Sequence, residues 1–159
     1  IRTLIEVEAF HEIHKQWKAA LESIEYRNYS QTKINFPIID DTGLTIAKLY
    51  GMIHKETDNN RDVRGVFVVD PDNVIRAEFF YPLEVGRNID EILRTVIALQ
   101  TADDHKVLTP ANWKAGNDVL VPFPVKAPLS HADKDSAEYY QLSWFMIFRR
   151  GISGAIRKQ

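Results

Sequence analysis

Between residues 8 and 26, the apolar side chains Phe10, Ile13, Trp17, Leu21 and Ile24 recur three or four positions apart. That spacing gathers them on one side of a helix, because 3.6 residues complete a turn. Lys15, Lys18 and Glu22 fall mainly on the other side, so the stretch predicts an amphipathic helix lying on a sheet or on another helix. The polar residues 28–33 end the pattern. Residues 34–39 form a short apolar run that predicts a brief strand, at an edge or kinked, since Pro37 has no N–H to give to a ladder. Residues 40–45 carry turn chemistry around Gly43. Thr45 is placed to cap a short helix through Tyr50, and Gly51 is the residue type suited to a left-handed helix end.

Residues 58–62 are charged and polar, as in a loop, and residues 64–69 then give a nearly continuous apolar strand, a pattern expected of a central strand covered on both faces. Asp70-Pro71-Asp72-Asn73 is a turn signal, and residues 74–81 set Ile75, Ala77, Phe79 and Tyr81 against Arg76 and Glu78. The two segments predict a hairpin. Asn88 and Glu91 have the spacing of a capping-box variant, and Ile89, Ile92, Leu93, Val96, Ile97 and Leu99 continue at helical spacing to Gln100. Helices and strands in this order indicate an α/β sheet layered by helices. After residue 101, Pro110, Gly116, Pro122, Pro124 and Pro128 break the chain into short apolar pieces, which predicts an extended arm rather than a second compact core. The arm ends in Tyr139, Tyr140, Trp144, Phe145 and Phe148, followed by Arg149, Arg150, Arg157 and Lys158. An aromatic cluster of that kind needs cover, on its own domain or on a neighbouring subunit.

Composition narrows the possibilities. The 159 residues are 45% apolar and 26% charged, too apolar for bulk disorder and without an apolar run long enough for a membrane span. Twenty Lys and Arg against 22 Asp and Glu leave a net charge of -2, so no overall field points to nucleic acid or to a membrane, and the four basic residues of the tail are few. The chain has no cysteine. Disulfides, thiolate metal sites and thiol nucleophiles are therefore excluded from these residues together, and cysteine usage says nothing of compartment. The cytoplasm is the expected location by default. The chain starts at Ile1 with no signal-like segment, which reads as a processed chain or a piece of a longer polypeptide.

Few residues offer chemistry. His11 and His14 lie three apart, one residue short of the zinc-protease spacing, and read as surface or packing histidines. The carboxylate pairs Asp40-Asp41, Asp70/Asp72 and Asp103-Asp104 sit in polar or turn contexts that explain them, and Ser143 and Ser153 have no nucleophile-elbow surroundings. No metal site is expected. Arg64 opens an otherwise apolar strand, and Arg87 immediately precedes the cap of the second long helix. A guanidinium at such a place supplies fixed donors to an anion, a thiolate or a developing oxyanion, because it keeps its charge; the structural alternative is an arginine paired with a local carboxylate.

Read together, Phe36-Pro37-Ile38-Ile39-Asp40, Tyr50-Gly51-Met52, Val63-Arg64-Gly65-Val66-Phe67-Val68-Val69-Asp70-Pro71, Ile75-Arg76, Tyr81-Pro82, Gly86-Arg87-Asn88-Ile89-Asp90-Glu91-Ile92-Leu93-Arg94 and Thr109-Pro110-Ala111-Asn112-Trp113 closely resemble the one-cysteine peroxiredoxins, the peroxiredoxin-6-like branch of the AhpC/TSA family. His14 and Trp17 also match that family's His-x-x-Trp helix. The resemblance implies a partial thioredoxin-like domain over residues 1–100 and a C-terminal dimerisation arm with an aromatic and basic tail over residues 101–159. It implies reduction of hydrogen peroxide and organic hydroperoxides by a peroxidatic cysteine that an external thiol restores, in a homodimer or higher oligomer, without a cofactor. By motif position the family's active-site arginine falls on Arg64, and Arg87 matches a second arginine that supports the substrate pocket. The family's Pro-x-x-x-Thr-x-x-Cys segment has no counterpart here and would lie before Ile1. Residues 4–10 stand where the family carries an apolar strand, and Glu6 and Glu8 predict a poor one. Two readings follow: a peroxidase whose cysteine-bearing part lies outside these residues, the chain itself being inactive, or a catalytically dead module kept for oligomerisation or binding.

Overall fold

The computed structural model describes residues 6–8, 11–25, 27, 33–53, 64–82, 84–122 and 137–151. The chain divides into two compact units, residues 1–87 and 88–159.

The first unit contains β1 (Glu6–Glu8), α1 (His11–Ser23), β2 (Ile38–Asp40), α2 (Thr45–Leu49), β3 (Arg64–Val69) and β4 (Ile75–Tyr81). Despite its two glutamates, β1 does form, running parallel to β2 with Glu6 opposite Ile38 and Glu8 opposite Asp40. The helix α1 is shorter than the apolar spacing predicts. Its last turn tightens as Ile24 N donates to Leu21 O at 3.3 Å, and the Ser23 hydroxyl donates to Ala20 O at 2.7 Å. Such local bonds compete with continued α-helix. Beyond it, Ile34 N donates to Glu22 Oε1 at 3.0 Å, tying the returning chain to the helix.

The cap of α2 is not Thr45. Leu44, left-handed at φ 53°, holds the N-cap position without a side-chain bond, and Asp41 does the capping instead: Oδ1 accepts from Ile46 N at 3.0 Å and Oδ2 from Ala47 N at 2.8 Å. A carboxylate with two acceptor oxygens satisfies two of the orphan amides that a threonine hydroxyl would meet singly. At the other end, Gly51 adopts φ 66° as its sequence position predicts, and Met52 N donates to Ala47 O at 2.8 Å, the closing bond of a Schellman turn.

The predicted hairpin is present. β3 and β4 pair antiparallel, with Arg64 opposite Tyr81, Val66 opposite Phe79 and Val68 opposite Ala77. Asp70 Oδ1 organises the turn by accepting from Asp72 N at 3.0 Å and Val74 N at 2.9 Å. The cover on β3 is uneven: Val66 and Val68 are buried, whereas Gly65, Phe67 and Val69 are half-buried, and among the described residues β4 is the only strand paired with it. A run apolar at every position therefore belongs here to a strand whose two faces are covered unequally.

The second unit contains α3 (Ile89–His105), β5 (Val119–Leu120), β6 (Tyr139–Ser143) and β7 (Met146–Arg149). The capping signal holds, with Asn88 Oδ1 accepting from Glu91 N at 3.1 Å. The helix runs past Gln100 because Thr101 stays helical by donating its hydroxyl to Ile97 O at 2.8 Å, and it ends at the left-handed Lys106. Of the segment expected as an extended arm, residues 107–119 fold back on α3. Ala98, Val107, Trp113 and Val119 form a buried cluster with Ile97 packed against it. Pro110 and Gly116 mark turns within this layer: Trp113 N donates to Pro110 O at 3.1 Å and Asn117 N to Lys114 O at 2.9 Å. The strand order is β5-β7-β6, and Leu108 bridges to Leu120 on the other side of β5.

Trp113 is 1% exposed, and its indole N–H donates to Asn117 O at 3.0 Å. Trp113→Ala is expected to destabilise the second unit by about 3–5 kcal/mol, the cost of an aromatic cavity, read as a lowered urea midpoint.

Candidate functional site

Arg64 is the first residue of β3. Alternate residues share a strand face, so it stands on the same side as the buried Val66 and Val68 and directly across from Tyr81 of β4. It is half-buried, a cation where an apolar face opens. The opposite side of the hairpin carries Gly65, Phe67 and Phe80. The Phe67 ring meets Tyr50 edge-on at 4.8 Å between centroids and Phe80 edge-on at 5.5 Å. Gly65 lets this layer close: a Cβ there would lie 3.0 Å from the Phe67 ring and 3.4 Å from Met52 Cγ. Tyr50 and Met52 follow α2 directly, so the Asp41 cap, the Gly51 turn and the Tyr50/Phe67/Phe80 layer together hold the start of β3 in place.

Arg87 belongs to the same unit and is half-buried, beyond the end of β4 and next in sequence to the Asn88 cap. The two arginines flagged by the sequence thus lie toward the same end of β4, Arg64 across the ladder from its last residue, Tyr81, and Arg87 further along the chain. The residues to which sequence reasoning gave no such role are the ones that fix the start of β3 at Arg64: Asp41, Met52 and Gly65. A glycine inside a strand is a signal of close approach and marked Gly65; nothing in the local pattern distinguished the carboxylate of Asp41 from its neighbour Asp40.

The other candidates are accounted for differently. Asp70 serves its turn and pairs with Arg76 at 3.4 Å. Asp103 and Asp104 lie in the last turns of α3. Ser143 offers its carbonyl to Gln141 Nε2 at 3.0 Å, while Ser153 and the side chains of His11 and His14 fall outside the described residues. No group of three metal-ligating side chains occurs among the described residues. In the second unit an open cleft of about 420 Å³ runs beside the start of α3. Two of its charged side chains satisfy each other: Arg94 donates to both oxygens of Glu91, at 2.6 and 2.8 Å, and also to Trp113 O at 3.3 Å.

Burial pushes the Asp41 carboxyl up, but the amides of Ala47, Ile46 and Thr45 and the charge of Lys48 outweigh it and hold the group below its ordinary 3.8. A carboxyl depressed in the folded chain contributes stability that is fully present above the unfolded value and lost as the pH falls through the folded one. The amides of α2 are accordingly expected to lose exchange protection only below pH 3.8. In Asp41→Ala they are unprotected at neutral pH, which hydrogen exchange followed by NMR measures.

Residues 6–78 match the AhpC/TSA family and residues 98–126 match the C-terminal domain of 1-Cys peroxiredoxin. A peroxiredoxin of Methanosarcina mazei is 39% identical over 140 residues, covering 86% of this chain and 64% of its own length. A 1-Cys peroxiredoxin of Dictyostelium discoideum is 41% identical, covering 68% of this chain and 43% of its own length. The chain therefore spans roughly half to two thirds of these curated relatives. Among solved structures, the yeast mitochondrial 1-Cys peroxiredoxin superposes with a TM-score of 0.75 at 32% identity, covering 92% of this chain and 69% of that one. This likeness bears out the thioredoxin-like α/β fold that the motifs imply.

Proposed function

This chain belongs to the AhpC/TSA peroxiredoxins and carries the C-terminal domain of their 1-Cys type, and from that premise we propose that its parent protein reduces hydrogen peroxide and organic hydroperoxides, with Arg64 in the catalytic pocket and Arg87 supporting the bound substrate. What supports the reading is the place of Arg64, a permanent cation at the opening of a buried strand face, held from behind by the Tyr50/Phe67/Phe80 layer. In the reaction a cysteine thiolate attacks the nearer peroxide oxygen. The O–O bond breaks, the sulfur becomes a sulfenic acid, and the departing oxygen takes up a proton and leaves as water or an alcohol. A guanidinium beside these atoms keeps the sulfur ionised and stabilises the charge growing on the leaving oxygen. An external thiol then condenses with the sulfenic acid, releasing water, and a second thiol cleaves the mixed disulfide. The yeast relative has its thiol resolved via glutathione/thioredoxin systems; a small or protein thiol of that class is the reductant proposed here.

The sulfur comes from outside these 159 residues, which contain no cysteine. Residues 101–159 serve as the dimerisation arm of a homodimer or higher oligomer behind a partial thioredoxin-like domain of residues 1–100, and the cytoplasm, where thiols are kept reduced, is the proposed compartment. A second reading, a catalytically dead module that binds its own kind, draws on the same lack of sulfur and on the outward apolar tip of the β6–β7 hairpin, where Trp144 is 70% exposed.

Purified chain incubated with hydroperoxide and dithiothreitol is expected to consume no more than a few equivalents; repeated turnover would overturn the assignment of the sulfur. When the chain is extended upstream by its own cysteine-bearing segment, turnover should appear, and Arg64→Gln in that protein should lower kcat/KM by about 10²–10³. A reading frame without such a cysteine favours the binding module. Sedimentation of the chain at micromolar concentration checks the oligomer: a strict monomer counts against the arm.

A further inference from the structure

Among the described residues, one short strand is all that pairs with the β6–β7 hairpin from outside it. β5 contributes only Val119 and Leu120 to the ladder, opposite Arg149 and Phe148 of β7, extended by Val121 N donating to Ile147 O at 2.9 Å. At the tip, Leu142, Trp144 and Phe145 are each at least half exposed, and the Trp144 and Phe145 rings meet edge-on at 5.2 Å. At the root, both ends of the hairpin converge on a single side chain. Asp118 Oδ2 accepts from the Tyr140 hydroxyl at 3.0 Å, and Oδ1 accepts from Gly151 N at 3.0 Å. Tyr140 is itself held in a stack. Phe148, its cross-strand partner, lies parallel to it at 5.0 Å, and the Arg150 guanidinium sits 4.6 Å from its ring centre.

We infer that the β6–β7 hairpin is a detachable flap and that Asp118 is its clasp, closing the flap onto β5 by gripping the first strand through Tyr140 and the chain after the second strand through Gly151. Opening the clasp breaks the pairing of β5 with β7 and exposes Ile147 and Phe148, which are buried when it is closed, while leaving the contacts of α3 with Trp113 and Val107 intact. The clasp is charge-dependent. Facing the carboxylate are the Tyr140 hydroxyl from β6 and the Arg150 cation from the chain after β7, while the neighbouring Arg149 is taken up by Glu138 at 2.9 Å. The Gly151 amide first, then Tyr140 and Arg150, hold the Asp118 carboxyl below its ordinary 3.8 against the effect of burial. Burial first, then the bond to Asp118, hold the Tyr140 hydroxyl above its ordinary 10.0. Both shifts keep the bonded pair in its carboxylate and phenol forms across the physiological range, and acid releases it.

The test is amide exchange of the full chain, comparing Val121 and Gly151 with Ala98 and Thr101 of α3. Asp118→Ala should lower protection of Val121 and Gly151 by about tenfold or more, the worth of a charge-assisted bond, and leave the α3 amides unchanged. Tyr140→Phe, which keeps the ring stack, should give a smaller loss in the same direction, and should add nothing to Asp118→Ala. In the unmodified chain, protection of Val121 corrected for intrinsic exchange should fall below pH 3.8 before that of α3 does, and this acid step should vanish in Asp118→Ala. Unchanged Val121 in Asp118→Ala, or α3 amides falling by the same factor as Val121, would overturn the proposal. If Asp118→Ala does not fold, Tyr140→Phe decides by the same comparison.

Discussion

The first unit depends on a carboxylate answering two backbone amides. Asp41, 5% exposed, donates nothing and accepts from Ile46 N and Ala47 N, so α2, only one and a half turns long, has a fixed start. A helix so short is not stable on its own propensity. Because the start is fixed, the end is fixed too, and Gly51 turns the chain so that Met52 enters the core beside Gly65. Tyr50 then reaches Phe67, and Phe67 reaches Phe80 across the ladder. Arg64 inherits its position from this sequence of contacts. The packing of the opposite strand face fixes the strand that carries it.

The second unit is organised by a different constraint, the need to cover one side of a long helix. α3 presents Ala98 and the half-buried Ile97, and the chain after it, too broken by proline and glycine to form another helix, lays down Val107, Trp113 and Val119 as separate contacts. Trp113 does most of this because it is large and because its one polar atom finds Asn117 O without leaving the core. The Glu91–Arg94 pair adds a clamp from the helix to Trp113 O, with the Glu91 carboxyl lowered chiefly by its bond to Arg94. The three short strands beyond it attach to this layer by β5.

In the chemistry of the family, cationic pocket and sulfur are separable parts with different requirements. A guanidinium can orient a peroxide and stabilise charge, but it offers no electron pair for the oxygen to be transferred to, and neither methionine here provides a thiol cycle. On the proposed function, Arg64 and Arg87 supply the cationic part of the site and the sulfur is supplied from outside these residues, which contain no cysteine.

The elements themselves were legible wherever a local rule governs them: the hairpin from its Asp-Pro-Asp-Asn turn and alternating strand, the start of α3 from Asn88 and Glu91, the left-handed Gly51 from its place after a short helix. The family motifs were legible for the same reason, being strings of neighbours. What the sequence could not determine was set by residues distant along the chain. β1 forms because β2 supplies a parallel partner, a pairing that overrides the poor strand character of Glu6 and Glu8. The breaks after residue 101 read as an arm because they mark where the chain turns without saying what it turns onto. Only packing against α3 decided that they close a core. The role of Asp41 and the grip of Asp118 are likewise tertiary, since a carboxylate declares its acceptors only when the fold brings the donors to it.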